Sequence, residues 1–402
     1  MNLSIIILAA GQGTRMCSDL PKVLHPLGGQ PLLHHVLNTA HQFENANVHV
    51  VIGHGAEKVR EVFAGANVHW TLQEQQLGTG HAVAQVLPDI PDDHAVLVMY
   101  GDVPLIGKAI LDELLTFSTQ GAVGLLTTEL DNPAGYGRIL HDASDNISGI
   151  VEEKDASAAQ RAIFEIKTGC IAAPAARMRA WVEALGNDNA QGEYYLTDII
   201  ALAVRDGVAV QGVRSTDLNE TLGVNDRRQL ATLERCYQQR QADACMRAGV
   251  TLIDPARFDL RGQLTAGQDV VIDVNAVLEG DIVLGHRANI GQNAVLRNVT
   301  LAEDVTILAN CVIEDADIGK GSCIGPFARV RPETRLAANT KIGNFVEIKK
   351  SQVGEGSKVS HLSYIGDANI GRNVNIGAGT ITCNYDGANK HQTVIGDNVF
   401  IG

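Results

Sequence analysis

The chain has 402 residues, room for two or three domains at about 100–200 residues each. Hydrophobic residues make up 45% and charged residues 19%, the balance of a soluble globular protein. A formal net charge of −14 argues against a general binder of nucleic acid or membrane surfaces, so an anionic substrate must be captured by a few local cations.

No apolar run approaches the roughly 18 residues of a membrane span. The N-terminal apolar run lacks a basic region ahead of it and reads as a strand, not a signal peptide. The seven Cys are scattered, odd in number and free of a C-x-x-C pair, which points to a reduced, cytoplasmic setting. The 13 His form no H-E-x-x-H cluster, so no zinc site is indicated. Aromatics are only 4%, which suits a repetitive fold packed with aliphatics.

In chain order, Ile5–Leu8 reads as a buried strand of a parallel sheet, running into Ala9-Ala10-Gly11-Gln12-Gly13-Thr14-Arg15. Glycine lets backbone N–H groups turn toward a ligand, and Arg15 and Lys22 are good phosphate partners. Two familiar nucleotide motifs fail. Met16 stands where the Rossmann fingerprint needs its third glycine, and Gly13-Thr14-Arg15 is not Gly-Lys-Ser/Thr. A strand followed by a tight turn is the plain alternative.

Strand-like runs (Val48–Ile52, Ala95–Met99, Val123–Thr127) alternate with helical ones (Pro31–His41, Gly80–Leu87) over roughly the first 225 residues. Such alternation implies an α/β sheet of parallel strands with ligands at their carboxyl ends. Gly78-Thr79-Gly80 opens a helix and offers free N–H groups to an anion or a base edge, or is an ordinary capped turn. Asp102 follows the strand ending in Tyr100-Gly101 and is a natural magnesium ligand, although a lone loop Asp is more often a cap. Ile150–Asp155 holds carboxylates suited to sugar hydroxyls, with a solvated charged turn as the plain alternative.

Leu8-Ala-Ala-Gly-x-Gly-Thr-Arg15 with Pro21-Lys22-x-Leu24 resembles the signature of sugar-1-phosphate nucleotidyltransferases. The resemblance implies that Leu8, Ala9, Ala10 and Gly11 wrap the nucleotide while Arg15 and Lys22 hold the triphosphate as catalytic cations. It further implies that Gln73, Gly78 and Thr79 read uracil and that Tyr100 and Gly101 line the site. Asp102 and Asn225, in Gly223-Val-Asn225-Asp226, would bind Mg2+. Gly137, in Asn132–Ile139, packs against the sugar, Glu152 takes its hydroxyls, and Gly192–Asp198 shapes the same pocket. One position departs: Lys167-Thr168-Gly169 stands where the family has Asn-Thr-Gly. An ammonium cannot accept a hydrogen bond as an amide oxygen can, so sugar affinity or choice is expected to differ.

Asp226–Ala248 has no Gly or Pro and places Leu230, Leu233 and Tyr237 on one helical face, with Gly249 as its stop; it reads as a linking helix. From about residue 251, aliphatic–Gly pairs recur at a spacing near six: Leu284-Gly285 with Ile290-Gly291, Ile318-Gly319 with Ile324-Gly325, and Ile370-Gly371 with Ile376-Gly377. This hexapeptide period marks a β-helix. Slips near Lys349–Val353 and Asn384–His391 suggest loops leaving the coil.

The hexapeptide family forms left-handed parallel β-helices that trimerise, with active sites between subunits. Over essentially its whole length the chain is similar to the family of bacterial bifunctional N-acetylglucosamine-1-phosphate uridyltransferases / glucosamine-1-phosphate N-acetyltransferases. That resemblance implies a Rossmann-like uridyltransferase domain at 1–225, a helical linker at 226–249 and a left-handed β-helix acetyltransferase domain at 250–402. It implies His361 as the base for acetyl transfer, since His titrates in the right range. Arg331, Lys349, Tyr364 and Asn375 would hold glucosamine phosphate, and Ala378, Asn384 and Tyr385 would contact acetyl-CoA. Lys390 would reach a neighbouring subunit. The chain stops at Ile401-Gly402 in mid-repeat, so an incomplete coil is expected.

The expected enzyme takes UTP, acetyl-CoA and the two sugar phosphates, works with Mg2+ in the cytoplasm as a homotrimer, and needs no nucleic acid or membrane. Its product, UDP-N-acetylglucosamine, would feed cell-wall and lipopolysaccharide synthesis. The alternatives are a uridyltransferase with the coil as a trimerising scaffold, a guanylyl or thymidylyl transferase, and a non-enzymatic scaffold.

Overall fold

The computed structural model describes residues 2–402. The chain forms two compact units, the first ending at Leu233 and the second running Glu234–Gly402.

The first unit is built on one sheet. Its strands lie in the order Val210–Arg214, Val123–Glu129, Glu165–Pro174, Ala95–Tyr100, Leu3–Ala9, Asn47–Ile52, His69–Leu72. Leu3–Ala9 is buried along its whole length because both faces of the sheet are covered. Ile5 and Ile7 join a core that includes Leu33 and Val36 of the helix Leu32–Ala40. Ile6 and Leu8 join another, with Trp181 and Ile199.

The alternation predicted a parallel sheet, and the sheet is not wholly parallel. Glu165–Pro174 runs antiparallel to both its neighbours. The segment before it carries only the hairpin Arg138–His141/Ile147–Val151 and the short helix Ala158–Arg161, no full crossover helix. A parallel pairing needs a crossover of about a dozen residues or more. The register of this strand also slips between Lys167 and Ile171, where Gly169 adopts φ 98°. Such a bulge re-aims side chains.

From Leu3–Ala9 the chain first adds strands on one side and then returns to add Ala95–Tyr100 on the other. The strand order therefore reverses between Leu3–Ala9 and Ala95–Tyr100, and a crevice opens beyond their carboxyl ends.

The helix Arg227–Arg247 follows. Asp226 caps it, its Oδ1 accepting from the N–H groups of Arg228 (2.9 Å) and Gln229 (2.8 Å). The later part of this helix is more than a linker. Gln238 is buried and bonds both backbone groups of Leu260, donating to its oxygen (3.0 Å) and accepting from its N–H (2.7 Å). Ala242 joins the core of the second unit.

That core is a parallel β-helix. Ile272, Ile290, Ile307, Ile324, Ile342, Val359 and Ile376 stack in register in one sheet. Leu284, Leu301, Ile318, Leu336, Val353 and Ile370 stack in a second. Corresponding residues of successive coils are 18 or 17 apart, as in the side-chain ladder Asn275–Asn293–Asn310 (2.9 and 3.0 Å), so one coil is three hexapeptides. Corners are turned by residues with positive φ, chiefly Asn, Asp and Gly, which tolerate it.

Of the two slips expected to leave the coil, only one does. Around Lys349–Val353 the register is kept: Lys350 turns a corner at φ 45° and Gln352–Val353 is a strand. The other is a true insertion, since Asn373 and Asn398, in ladder contact, are 25 residues apart. Asp386 shapes it. Its carboxylate accepts from the N–H groups of Asn389 (2.6 Å) and Ala388 (2.8 Å) and faces His391 Nε2 (2.8 Å). The Asn389 N–H, then His391 and the Ala388 N–H, hold its pKa down at about 2. Among the described residues no helix is long and apolar enough to cross a membrane.

Candidate active sites

The crevice at the strand-order reversal is a cleft of about 600 Å³. Leu8, Ala9, Ala10 and Gly11 line it from the first strand, and Tyr100 and Asp102 from the adjacent one. Gly101 packs behind them, its α-carbon so close that an added Cβ would stand 3.2 Å from Ala9 Cβ. Gly13 has φ 63° and leaves room for Lys22, whose Cβ would lie 2.7 Å from a Cβ at 13. A Cβ at Gly11 meets no protein atom, so it is not the fold that asks for glycine there.

Lys22 Nζ forms an ion pair with Asp102 and donates to Asn225 Oδ1 at 3.3 Å. Arg15 donates to the same Asn225 oxygen at 2.9 Å. Asn225 is fixed by its neighbours: its N–H donates to Gln229 Oε1 (2.7 Å), and the Val224 N–H donates to the Asp102 carbonyl (2.8 Å). Two cations, a carboxylate and an amide oxygen thus meet at one end of the cleft. Asp102 and Asn225 already direct oxygens at one cationic point, the Lys22 ammonium. A carboxylate and an amide oxygen suit a hard divalent cation that keeps water and phosphate as its other ligands.

Gln73 is buried beside Gly78, donating to its carbonyl at 3.1 Å. Gly78 has φ 107°, and a Cβ there would lie 2.6 Å from the Tyr194 carbonyl oxygen. The Glu193–Leu196 segment docks on this turn: Gly80 N–H donates to Tyr194 O (2.8 Å) and Leu196 N–H to Thr79 Oγ1 (3.1 Å). The Tyr100 phenol is driven upward in pKa by burial and by Glu152 and Asp102, so it stays neutral.

At the other end lies the hairpin. Lys167, next to the register shift, forms an ion pair with Glu152, and Thr197 Oγ1 donates to the same Glu152 oxygen at 2.9 Å. Gly137 sits against both: its Cβ would be 3.1 Å from Lys167 Cε and 3.2 Å from Glu152 Oε2.

In the β-helix, charged side chains on successive coils form a ladder. Arg261 bonds Glu279 (2.9 Å), Glu279 pairs with Arg297, Arg297 bonds Glu314 (2.8 Å), and Arg329 lies 3.5 Å from Glu314. The alternation then breaks. Arg331 and Lys349 are the next residues after the paired Val330 and Ile348, so two cations stand on adjacent coils. Like charges so placed repel. Glu347 (2.9 Å from Arg331) and Asp367 (3.8 Å from Lys349) flank them. Asn384 bonds Asp367 and lies 3.4 Å from the Tyr364 hydroxyl. His361 is exposed, its Nδ1 3.0 Å from Asn344 Oδ1. The amide oxygen only accepts, so it bonds the tautomer that carries hydrogen on Nδ1 and leaves Nε2 with its lone pair.

Lys349 and Tyr364 stand on adjacent strands of one sheet with Arg331 just past the strand before them, and Asn384 reaches the same place from the insertion. Asn375 stands on another sheet, in register with Lys358 and Phe400. Ala378 is exposed nearby. Tyr385 and Lys390 pair across the insertion, the Tyr385 hydroxyl donating to Gly387 O at 2.7 Å.

Residues 5–166 match the MobA-like NTP transferase domain. The chain is 56% identical to the bifunctional protein GlmU of Marinobacter nauticus over 400 residues, covering 100% of this chain and 88% of that one. It is 57% identical over 400 residues to the bifunctional protein GlmU of Alkalilimnicola ehrlichii, covering 100% of this chain and 86% of that one. The chain belongs to the bifunctional GlmU family. Among solved structures, a UDP-glucose pyrophosphorylase complexed with UDP-glucose is 14% identical, covers 60% of this chain and 100% of its own, and gives a TM-score of 0.48.

For a GlmU-family chain, the motif residues omit part of the cleft. Gln76, Tyr136, Glu193 and Thr221 also line it. Gln76, Tyr136 and Glu193 lie inside recognised motifs, so proximity in sequence could have flagged them; nothing in the sequence marks Thr221. Arg138 was also missed. It is buried, 2.7 Å from Glu153, donates to the Ile163 carbonyl (3.1 Å) and bonds the Tyr136 carbonyl, tying the loop around residues 132–137 to the segment beyond the hairpin.

Proposed function

We propose that this GlmU-family chain acetylates glucosamine 1-phosphate from acetyl-CoA and then transfers UMP from UTP to the resulting N-acetylglucosamine 1-phosphate. The first unit would carry UMP transfer and the β-helix acetyl transfer. The observation that carries the reading is the meeting of Arg15, Lys22, Asp102 and Asn225 at the strand-order reversal. That is where an α/β sheet binds a nucleotide, and it supplies both charges that phosphoryl transfer needs.

In UMP transfer, a phosphate oxygen of the sugar phosphate attacks the α-phosphorus of UTP in line, and the bond to the bridging oxygen of pyrophosphate breaks. Arg15 and Lys22 hold the triphosphate and compensate the charge on the leaving pyrophosphate. Gln73, Gly78 and Thr79 orient the base, while Gly137 and Glu152 orient the sugar. Positioning and electrostatics supply most of the rate. Mg2+ held by Asp102 and Asn225 would neutralise phosphate charge when bound.

In acetyl transfer, His361 Nε2 takes the proton as the glucosamine amine attacks the thioester carbonyl; the carbon–sulfur bond breaks and the thiol leaves protonated. Arg331 and Lys349 hold the phosphate, with Tyr364 and Asn375 on the sugar. Ala378, Asn384 and Tyr385 would meet acetyl-CoA. The break in the charge ladder supports this over a bare scaffold, because a column that alternates in charge is replaced by two cations in register, the arrangement a phosphate would bridge. The working form is a homotrimer in the cytoplasm, with Lys390 reaching a neighbouring subunit, and its UDP-N-acetylglucosamine feeds cell-wall and lipopolysaccharide synthesis.

Both activities are measured on one preparation: pyrophosphate release from UTP with N-acetylglucosamine 1-phosphate, and thiol release from acetyl-CoA with glucosamine 1-phosphate. His361→Ala should abolish only the second and Lys22→Ala only the first. No UMP transfer by the intact chain, or preference for another nucleoside triphosphate, overturns the reading of the first site. Thiol release that survives His361→Ala overturns the base.

A further inference from the structure

The Lys167–Glu152 pair lies inside the cleft, each side chain about one-fifth exposed (19% and 22%). The surroundings are acidic. Burial, with the Glu152 and Asp155 carboxylates beside it, raises the pKa of Asp198, and Lys167 is the cation that opposes this. Glu193 lines the same cleft. Without Lys167 this end would present several carboxylates and attract a cation. With it, Glu152 Oε1 is engaged by both Lys167 and Thr197, while Oε2 faces Gly137.

A hexosamine 1-phosphate whose amino group is still free carries an ammonium on its ring. An acidic sugar pocket would welcome it, whereas a pocket already neutralised by a tethered ammonium would repel it. The acetylated sugar, whose amide is uncharged, suffers no such penalty and offers a carbonyl oxygen that an ammonium can bond.

We infer that Lys167 is the specificity-determining residue that rejects the free amino sugar from UMP transfer, by cancelling the Glu152 charge and opposing a second ammonium. This rests on the reading of the cleft as a sugar-phosphate uridyltransferase site. Acetylation must then precede uridylylation in this chain because of charge and not size alone.

The test is kcat/KM for UMP transfer by the full chain with three acceptors: N-acetylglucosamine 1-phosphate, glucosamine 1-phosphate and glucose 1-phosphate. The last replaces ammonium by a neutral hydroxyl, so the ratio of glucosamine to glucose 1-phosphate isolates the charge effect. That ratio should rise by about ten- to a hundredfold in Lys167→Asn and Lys167→Met, the range expected when one unit charge is removed from a partly buried site. Lys167→Arg should leave it unchanged. An unchanged ratio in both neutral variants overturns the inference. Where a neutral variant no longer turns over, binding of glucosamine and glucose 1-phosphate is compared by calorimetry, and an unchanged preference overturns it equally. If the unaltered chain transfers UMP to none of the three acceptors, the reading of the cleft fails instead.

Discussion

Gly13 and Gly11 stand two residues apart and answer to different demands. At Gly13 both φ (63°) and the Lys22 side chain exclude a Cβ. Gly13→Ala must therefore displace Lys22, and UMP transfer should fall by about 10²–10³-fold, the usual loss when one charge-stabilising donor leaves its place. Gly11→Ala meets no protein atom, so its melting temperature should match that of the unaltered chain while KM for UTP rises. A melting point that drops in Gly11→Ala would show that the fold, not the ligand, asks for glycine. Lys22, Asp102 and Asn225 were legible because each sits in a recognisable motif at the end of a strand or the start of a helix. The Lys167–Glu152 pair was not. The resemblance places both residues at the sugar, but that they pair with one another, beside a register shift between Lys167 and Ile171, is announced by no local pattern. Asn375, which the family resemblance groups with Lys349 and Tyr364, stands on a different sheet of the coil from them, a placement the hexapeptide period alone does not announce.

Among the elements, the β-helix was the most legible, since each inward aliphatic repeats on every coil and leaves a period in the chain. Its start was less so. Gln238 lies on a helix that reads as a polar linker, yet it satisfies both backbone groups of Leu260 in a buried place. Gln238→Ala should cost about 2 kcal/mol in urea unfolding of the second unit, because it strands a buried N–H and C=O, and leave UMP transfer kinetics unchanged. The antiparallel strand Glu165–Pro174 was missed because alternation of strand and helix says nothing about direction once the crossover is a hairpin. The charge ladder predicts a pH dependence. Arg297, and then Arg261, hold the Glu279 carboxyl below its ordinary pKa in the fold. A depressed folded-state pKa adds stability above the unfolded value, near 4.3, which is lost as pH falls through the lower folded one. Glu279→Gln should therefore unfold at lower urea at pH 7, by about 0.5–1 kcal/mol, and match the unaltered chain at pH 2–3. A difference that persists in acid would mean the ladder acts through packing, not charge.

For the molecule as a whole, one corner of the β-helix bears on assembly. Asn275, Asn293 and Asn310 turn that corner at φ 61°, 57° and 61°, and the next coils place Phe327, Phe345 and Leu362 there at φ 56°, 56° and 46°. A bulky residue in the left-handed region is disfavoured relative to Asn. These three are also 51%, 57% and 61% exposed, with the two phenyl rings stacked at a centroid distance of 5.5 Å. The strain and the exposed apolar surface together make sense if another chain covers the column, as the proposed homotrimer would. Restoring Asn at 327, 345 and 362 continues the pattern of the earlier coils, so the coil should fold at least as stably. Sedimentation velocity should then report a smaller species than the unaltered chain gives. Thiol release from acetyl-CoA, which needs sites formed between subunits in that proposal, should fall with it, while UMP transfer stays near its original rate. A triple variant that keeps the original sedimentation coefficient places the subunit contact on another face of the coil. A variant that dissociates yet keeps full thiol release makes each β-helix a complete acetyltransferase by itself.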